Sequence, residues 1–174
     1  IVLLHLMKNL KEIALKTIEL EAESVKQLQN YIDNDFIKSV QLIHKSKGRL
    51  IISGIGKSAI IAQKIVSTLN STGTPSLFLH AADAIHGDLG MVQKDDVVMM
   101  VSKSGESPEI KILATLIKNF NNKLIALVGN VSSFLALKSD FNINSTVTKE
   151  AFPNNLAPTS STTAQLVMGD ALAV

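Results

Sequence analysis

Apolar residues follow two rhythms along this chain, and the change comes near residue 49. Before it, Leu10, Ile13, Ala14, Thr17, Ile18, Ala22, Val25 and Leu28 recur at helical spacing. That predicts a helix over residues 8–30 with one apolar face. Asp33, Asn34 and Asp35 interrupt it and suit the cap of a second helix, carrying Phe36, Ile37, Val40 and Ile43 and stopping at Gly48. After it, short unbroken apolar runs alternate with helical patterns. Residues 50–53, 76–79, 97–101 and 124–128 read as strands, 97–101 as one covered on both faces, and 140–144, where Phe141 and Ile143 alternate, as an edge strand. Helices are expected up to Leu69, from Pro108 with Ile110, Leu113, Ala114 and Ile117, briefly after Ser132, and after Thr163.

Strands separated by helices predict an α/β three-layer sandwich around a parallel, doubly wound sheet of about five strands. The α/β core would occupy 49–174 and an N-terminal helical pair 7–48, all within one domain. Such sheets bind ligands beyond the C-terminal ends of their strands, near the switch in strand order.

Composition narrows the function classes. Of 174 residues, 46% are hydrophobic and 18% charged, which suits a folded protein with a large core. A net charge of +2 gives no sign of a nucleic-acid surface, and the absence of cysteine excludes a disulfide framework and thiolate metal ligands. No apolar run reaches the length of a membrane span. Residues 1–6 are too short, and lack the leading charge, for a signal peptide. Met7 reads as a natural start, and Val174 falls inside an apolar helical pattern, so the natural chain is expected to continue.

Five stretches carry candidate chemistry. Ser102-Lys103-Ser104-Gly105-Glu106-Ser107 joins a strand to a helix with Ser107 as N-cap. Its hydroxyls, free N–H groups and helix N-terminus suit a phosphate, although an ordinary capped βα loop fits equally well. Gly54-Ile55-Gly56-Lys57-Ser58-Ala59 lacks the earlier glycine of a Walker loop, since that position is Ile51. Its Gly54, Gly56 and Ala59 fit a dinucleotide fingerprint, but the second strand ends at Leu79-His80 without the acidic residue that motif needs. His86 stands beside Asp88 between two glycines; a tight turn with a solvated histidine is the plainer reading, and no metal site is assigned there despite His80 and Asp83 nearby. Glu150, next to Ala151, Phe152 and Pro153, is either an exposed loop acid or a partly desolvated base with a raised pKa. Thr159 to Thr163, five hydroxyl residues opening a helix, suggest a second anion site.

Together these features resemble the sugar-isomerase (SIS) domains. Within that superfamily GIGKSA (54–59), STGTP (71–75), HGDLGM (86–91) and LAPTSSTTAQLVMGDALAV (156–174) are similar to the arabinose-5-phosphate isomerases. The resemblance implies a flavodoxin-like SIS fold and interconversion of D-arabinose 5-phosphate and D-ribulose 5-phosphate through an enediol. It implies a place in the synthesis of Kdo, the eight-carbon acid sugar of lipopolysaccharide, with no cofactor and no metal. The family's catalytic positions fall on Lys57, His86, Glu109 and Glu150. Glu150 would be the base, Lys57 and His86 donors to the oxyanion, and Glu109 an orienting group. Gly56, Ser58, Ser102, Ser104, Ser107, Thr159, Ser160 and Ser161 would hold the substrate and its phosphate. A cytoplasmic homotetramer of paired dimers is expected, with a small-molecule sugar phosphate as ligand and neither nucleic acid nor membrane as partner. The chain stops before the family's further Ser-His-Pro-Gly-Gly stretch, and no CBS module follows within these 174 residues. A non-catalytic sugar-phosphate-sensing SIS module and an isomerase of another sugar phosphate are the alternatives; residues 1–48 lack the basic charge and third helix of a DNA-binding module.

Overall fold

The structure is a computed structural model that describes residues 2–174, with side chains from residue 9 onward. The reading of residues 1–6 as a segment ahead of the natural start lies outside the described side chains. Five parallel strands form one sheet in the order β2-β1-β3-β4-β5: β1 (Leu50–Gly54), β2 (Ser76–His80), β3 (Val97–Ser102), β4 (Lys123–Val128) and β5 (Phe141–Asn144). The central strands β1 and β3 are buried along their whole length, which is why they read as unbroken apolar runs.

Alternate residues enter two cores. Ile51, Val98, Met100, Leu124 and Ala126 pack against α4 (Ala81–Ile85), α5 (Pro108–Asn119) and α6 (Phe134–Lys138). Ile52, Met99, Val101, Ile125 and Leu127 pack on the other face against α3 (Lys57–Ser71), α7 (Ser160–Ala173) and Phe36 of α2 (Asn34–Lys45). Removing each of these side chains other than Ala126 from water contributes about 1.5–3 kcal/mol.

The N-terminal helix α1 runs Val2–Gln27 and tightens into a 3-10 turn at Leu28–Tyr31. The Asp33 carboxylate then caps α2, accepting from the N–H of Asp35 at 2.9 Å and of Phe36 at 3.0 Å. The C-terminal part of α1 is tied to α7, where Thr163 donates to Glu21 at 2.9 Å. Leu10, Ile13 and Ile18 of the predicted stripe, and Leu15 outside it, are each more than half exposed, so the stripe's N-terminal part faces solvent in the single chain while Leu28 at its other end is buried. None of the described helices is long and apolar enough to cross a membrane.

The strand order fixes where a ligand fits. After β1 the chain crosses to α3 on one face; after β3 it crosses to α5 on the other. Their connections diverge and leave a crevice at the C-terminal ends of β1 and β3.

Candidate functional site

That crevice holds a pocket of ≈ 330 Å³. The β1–α3 turn contributes Ile55, Lys57 and Ser58, the β3–α5 turn Ser102, Lys103, Ser104 and Ser107, and the start of α7 Pro158, Ser161 and Thr162. Two other depressions, of ≈ 170 Å³ and ≈ 350 Å³, lie at the opposite edge around Arg49 and Lys123. Strand polarity favours the first as the ligand site.

Both turns are shaped by glycines at positive φ. Gly56, at +58°, is the N-cap of α3 and has open space where a side chain would be, so the backbone angle alone calls for glycine. Gly105, at +67°, has no such room, because a Cβ there would run into the side chain of Ser133. Ser102 Oγ accepts from the Gly105 N–H at 3.0 Å and Ser104 Oγ from the Glu106 N–H at 3.2 Å, which curls the β3–α5 turn around its own hydroxyls. Ser107 occupies the N-cap of α5, but its side chain makes no capping bond. Its buried hydroxyl has no partner among the described residues. Buried hydroxyls without partners are uncommon, and one belonging to a residue that lines the pocket suits a ligand rich in acceptors.

Beside the pocket lies Glu150, only 4% exposed. Its Oε2 accepts from the Thr159 N–H at 2.8 Å, the Thr159 hydroxyl at 3.2 Å and the Ser161 N–H at 3.1 Å, while Lys103 Nζ reaches Oε1 at 2.6 Å. The 150–159 loop closes on itself to make this possible. The Glu150 N–H donates to Asn155 Oδ1 at 2.8 Å, and the Ala151 N–H donates to the Thr159 hydroxyl at 2.9 Å. Asn154 and Asn155 supply two consecutive positive φ angles. Burial alone would raise the carboxyl's pKa. The Lys103 ammonium, the Ser161 hydroxyl and the N–H groups of Thr159 and Ser161 outweigh it and lower the value from 4.5 to about 2.

Two expectations are corrected here. The raised pKa predicted for Glu150 is instead depressed, and Phe152, its supposed shield, is 48% exposed. The start of α7 does hold an anion, but that anion is the Glu150 carboxylate, so the N–H and hydroxyl of Thr159 are already committed. Of the other expected site residues, Lys57, Ser58, Ser102, Ser104, Ser107 and Ser161 meet in the pocket. Gly56 shapes its rim, and Ser160 is fully buried without a partner for its hydroxyl among the described residues. Glu109 sits one residue into α5, partly buried, and His86 is exposed at the end of α4; neither is on the pocket wall. His80 Nδ1 lies 3.7 Å from Asp83, and among the described residues no three of His, Asp or Glu gather around a metal position.

Two side chains that shape the candidate site were not read from the sequence. Lys103 stood inside the quoted turn, where a cation between two serines was the available signal. Gln165 accepts from the Ser58 hydroxyl at 3.2 Å and is buried, with nothing in the local pattern to mark it.

Residues 42–174 match the SIS domain. The chain is 50% identical over 161 residues to a Pseudomonas aeruginosa protein named arabinose 5-phosphate isomerase KdsD, covering 92% of this chain and 49% of that one. It is 48% identical over 164 residues to the Francisella tularensis protein of the same name, with 92% and 50% covered. Its backbone superposes on c3406 of E. coli CFT073, solved in complex with arabinose 5-phosphate, with a TM-score of 0.91, 38% identity, and 95% and 88% of the two chains covered. The chain therefore spans about half the length of the curated relatives it matches. With the family's pattern running through the whole sheet and both turns of the pocket, this chain belongs to the SIS domain family.

Proposed function

We propose that the chain is an aldose–ketose isomerase that interconverts D-arabinose 5-phosphate and D-ribulose 5-phosphate, as a step toward Kdo. The observation that carries the reading is the buried, ionised Glu150 carboxylate. One of its oxygens is anchored on α7, and the other is held by a lysine of a hydroxyl-lined pocket. The relatives that share about half of this chain's residues support the choice of sugar.

Isomerisation moves one hydrogen from C2 to C1 and one from O2 to O1. Glu150 takes the C2 proton of the aldose while O1 is protonated, giving the enediol. It then returns the proton at C1 as O2 loses its own and becomes the new carbonyl oxygen. One carboxylate serves both transfers because C1 and C2 are adjacent. Lys57, on the pocket wall, stabilises the oxyanion that develops. The hydroxyls of Ser102, Ser104, Ser107 and Ser161 hold the phosphate, whose binding fixes the reacting carbons. His86 and Glu109 come to this reading from the family resemblance. It takes residues 1–174 as one SIS domain working in the cytoplasm as a homotetramer of paired dimers. The exposed stripe of Leu10, Ile13 and Ile18 supports self-association.

The test is NMR of the purified protein with D-arabinose 5-phosphate in deuterated water. The expected result is D-ribulose 5-phosphate with deuterium entering at the transferred position. Binding without turnover refutes the enzyme and leaves the sensor; turnover of a different sugar phosphate only moves the substrate.

A further inference from the structure

We propose that Lys103 is a ligand-driven switch. In the empty site it holds Glu150, and when a phosphomonoester enters the pocket its ammonium turns to the phosphate and leaves Oε1 of Glu150 free to take a proton. The inference rests on the isomerase reading and adds to it a coupling between phosphate binding and the base.

The two ends of the Glu150 carboxylate are held differently. Oε2 is satisfied by three donors of α7's first turn, so the group stays in place if Lys103 departs. Oε1 accepts from Lys103 alone among the described residues. The backbone of Lys103 cannot move far: the Gly129 N–H donates to its carbonyl at 3.1 Å, and a Cβ on Gly129 would stand 2.9 Å from that same oxygen. Any movement therefore belongs to the side chain, which is 46% exposed and free to change rotamer.

Lys103 already lines the same pocket as Ser102, Ser104 and Ser107, and the buried Ser107 hydroxyl has no partner among the described residues. The charged groups around Glu150 are few. Lys103 comes from the β3–α5 turn and the positive end of α7 from the other side; Lys57 is the second cation on the pocket wall, and the neighbouring Lys149 is exposed. A doubly charged phosphate among those hydroxyls competes for Lys103 against a singly charged carboxylate that keeps three other donors. A base tied down until the substrate's remote group has docked reserves binding energy for the reacting complex.

The test uses 13C-carboxyl-labelled glutamate in the full chain, with the Glu150 resonance assigned by its loss in Glu150→Gln and inorganic phosphate as the probe. In the empty wild type that resonance should be flat across the pH range in which the protein stays folded. Saturating phosphate should bring its titration up into that range. In Lys103→Met the titration should already lie higher without phosphate, and phosphate should bind about tenfold more weakly or worse, as loss of one charge-assisted hydrogen bond requires. Lys103→Arg should restore phosphate affinity. The switch is refuted if phosphate leaves the wild-type Glu150 resonance unmoved, or if Lys103→Met binds phosphate as tightly as wild type. A protein that isomerises arabinose 5-phosphate without this response refutes the switch alone. One that responds without isomerising refutes the isomerase alone.

Discussion

Replacing Glu150 by Gln should destabilise the protein by roughly 3 kcal/mol near neutral pH. The carboxyl falls from its ordinary 4.5 to about 2 in the native protein, and each pH unit of that difference is worth about 1.36 kcal/mol. Burial opposes the fall, and the bonds from Lys103, Thr159 and Ser161 more than offset it. Glutamine keeps the shape and still lets an amide oxygen accept from the α7 N–H groups. Its NH₂, however, would face the Lys103 ammonium, two donors with no acceptor between them, and the lysine would turn to water. Because the native carboxyl is the stronger acid, the unfolded chain binds more protons between the two pKa values. The stabilisation is therefore fully present above about pH 5 and is lost as pH falls through 4.5 toward about 2. Urea titrations of both proteins should show midpoints far apart near neutral pH with equal slopes, and less than half of the gap remaining at about pH 3. A gap below about 1 kcal/mol near neutral pH, or one that does not narrow on acidification, would refute the anchored, ionised carboxylate. If this group moves the C2 proton, the same variant should lose ~10²–10⁴-fold in kcat on arabinose 5-phosphate while substrate binding changes little.

Gly105→Ala places a Cβ against Ser133 at a backbone angle of +67°. It should cost at least about 1–3 kcal/mol in urea unfolding and weaken phosphate binding by distorting the β3–α5 turn, whereas unchanged affinity would detach that turn from the ligand. Leu10→Glu, Ile13→Glu and Ile18→Glu together change only exposed positions of α1. Stability of the fold should hold while light scattering shows a smaller assembly than wild type; an unchanged mass would place the subunit contacts elsewhere.

The sheet was legible because β1, β3 and β4 are covered by helices on both faces, and burial of that kind leaves a local trace in the sequence as apolar runs. The divergence of the chain after β1 and β3 follows from the alternation of elements, so the Lys57–Ser58 and Ser102–Ser107 turns could be expected at one end. The electrostatics of Glu150 left no such trace. Its neighbours Phe152 and Pro153 suggested an apolar shield, yet both are exposed, and the carboxylate is instead wrapped by its own loop. Its donors stand 9 and 11 residues downstream and 47 residues upstream, distances at which no period or motif connects them. The five hydroxyl residues at Thr159–Thr163 were a true sign of an anion, but a helix N-terminus stabilises a carboxylate by the same dipole and the same N–H groups as a phosphate. Local sequence cannot distinguish an anion supplied by the chain from one supplied by a ligand. What distinguishes them is accounting for each donor. The N–H groups of Thr159 and Ser161 are spent on Glu150, whereas the hydroxyl of Ser107 is buried and unspent. On the proposed reading an external phosphate therefore docks on the β3–α5 side of the pocket, which Lys103 also lines while it holds Glu150.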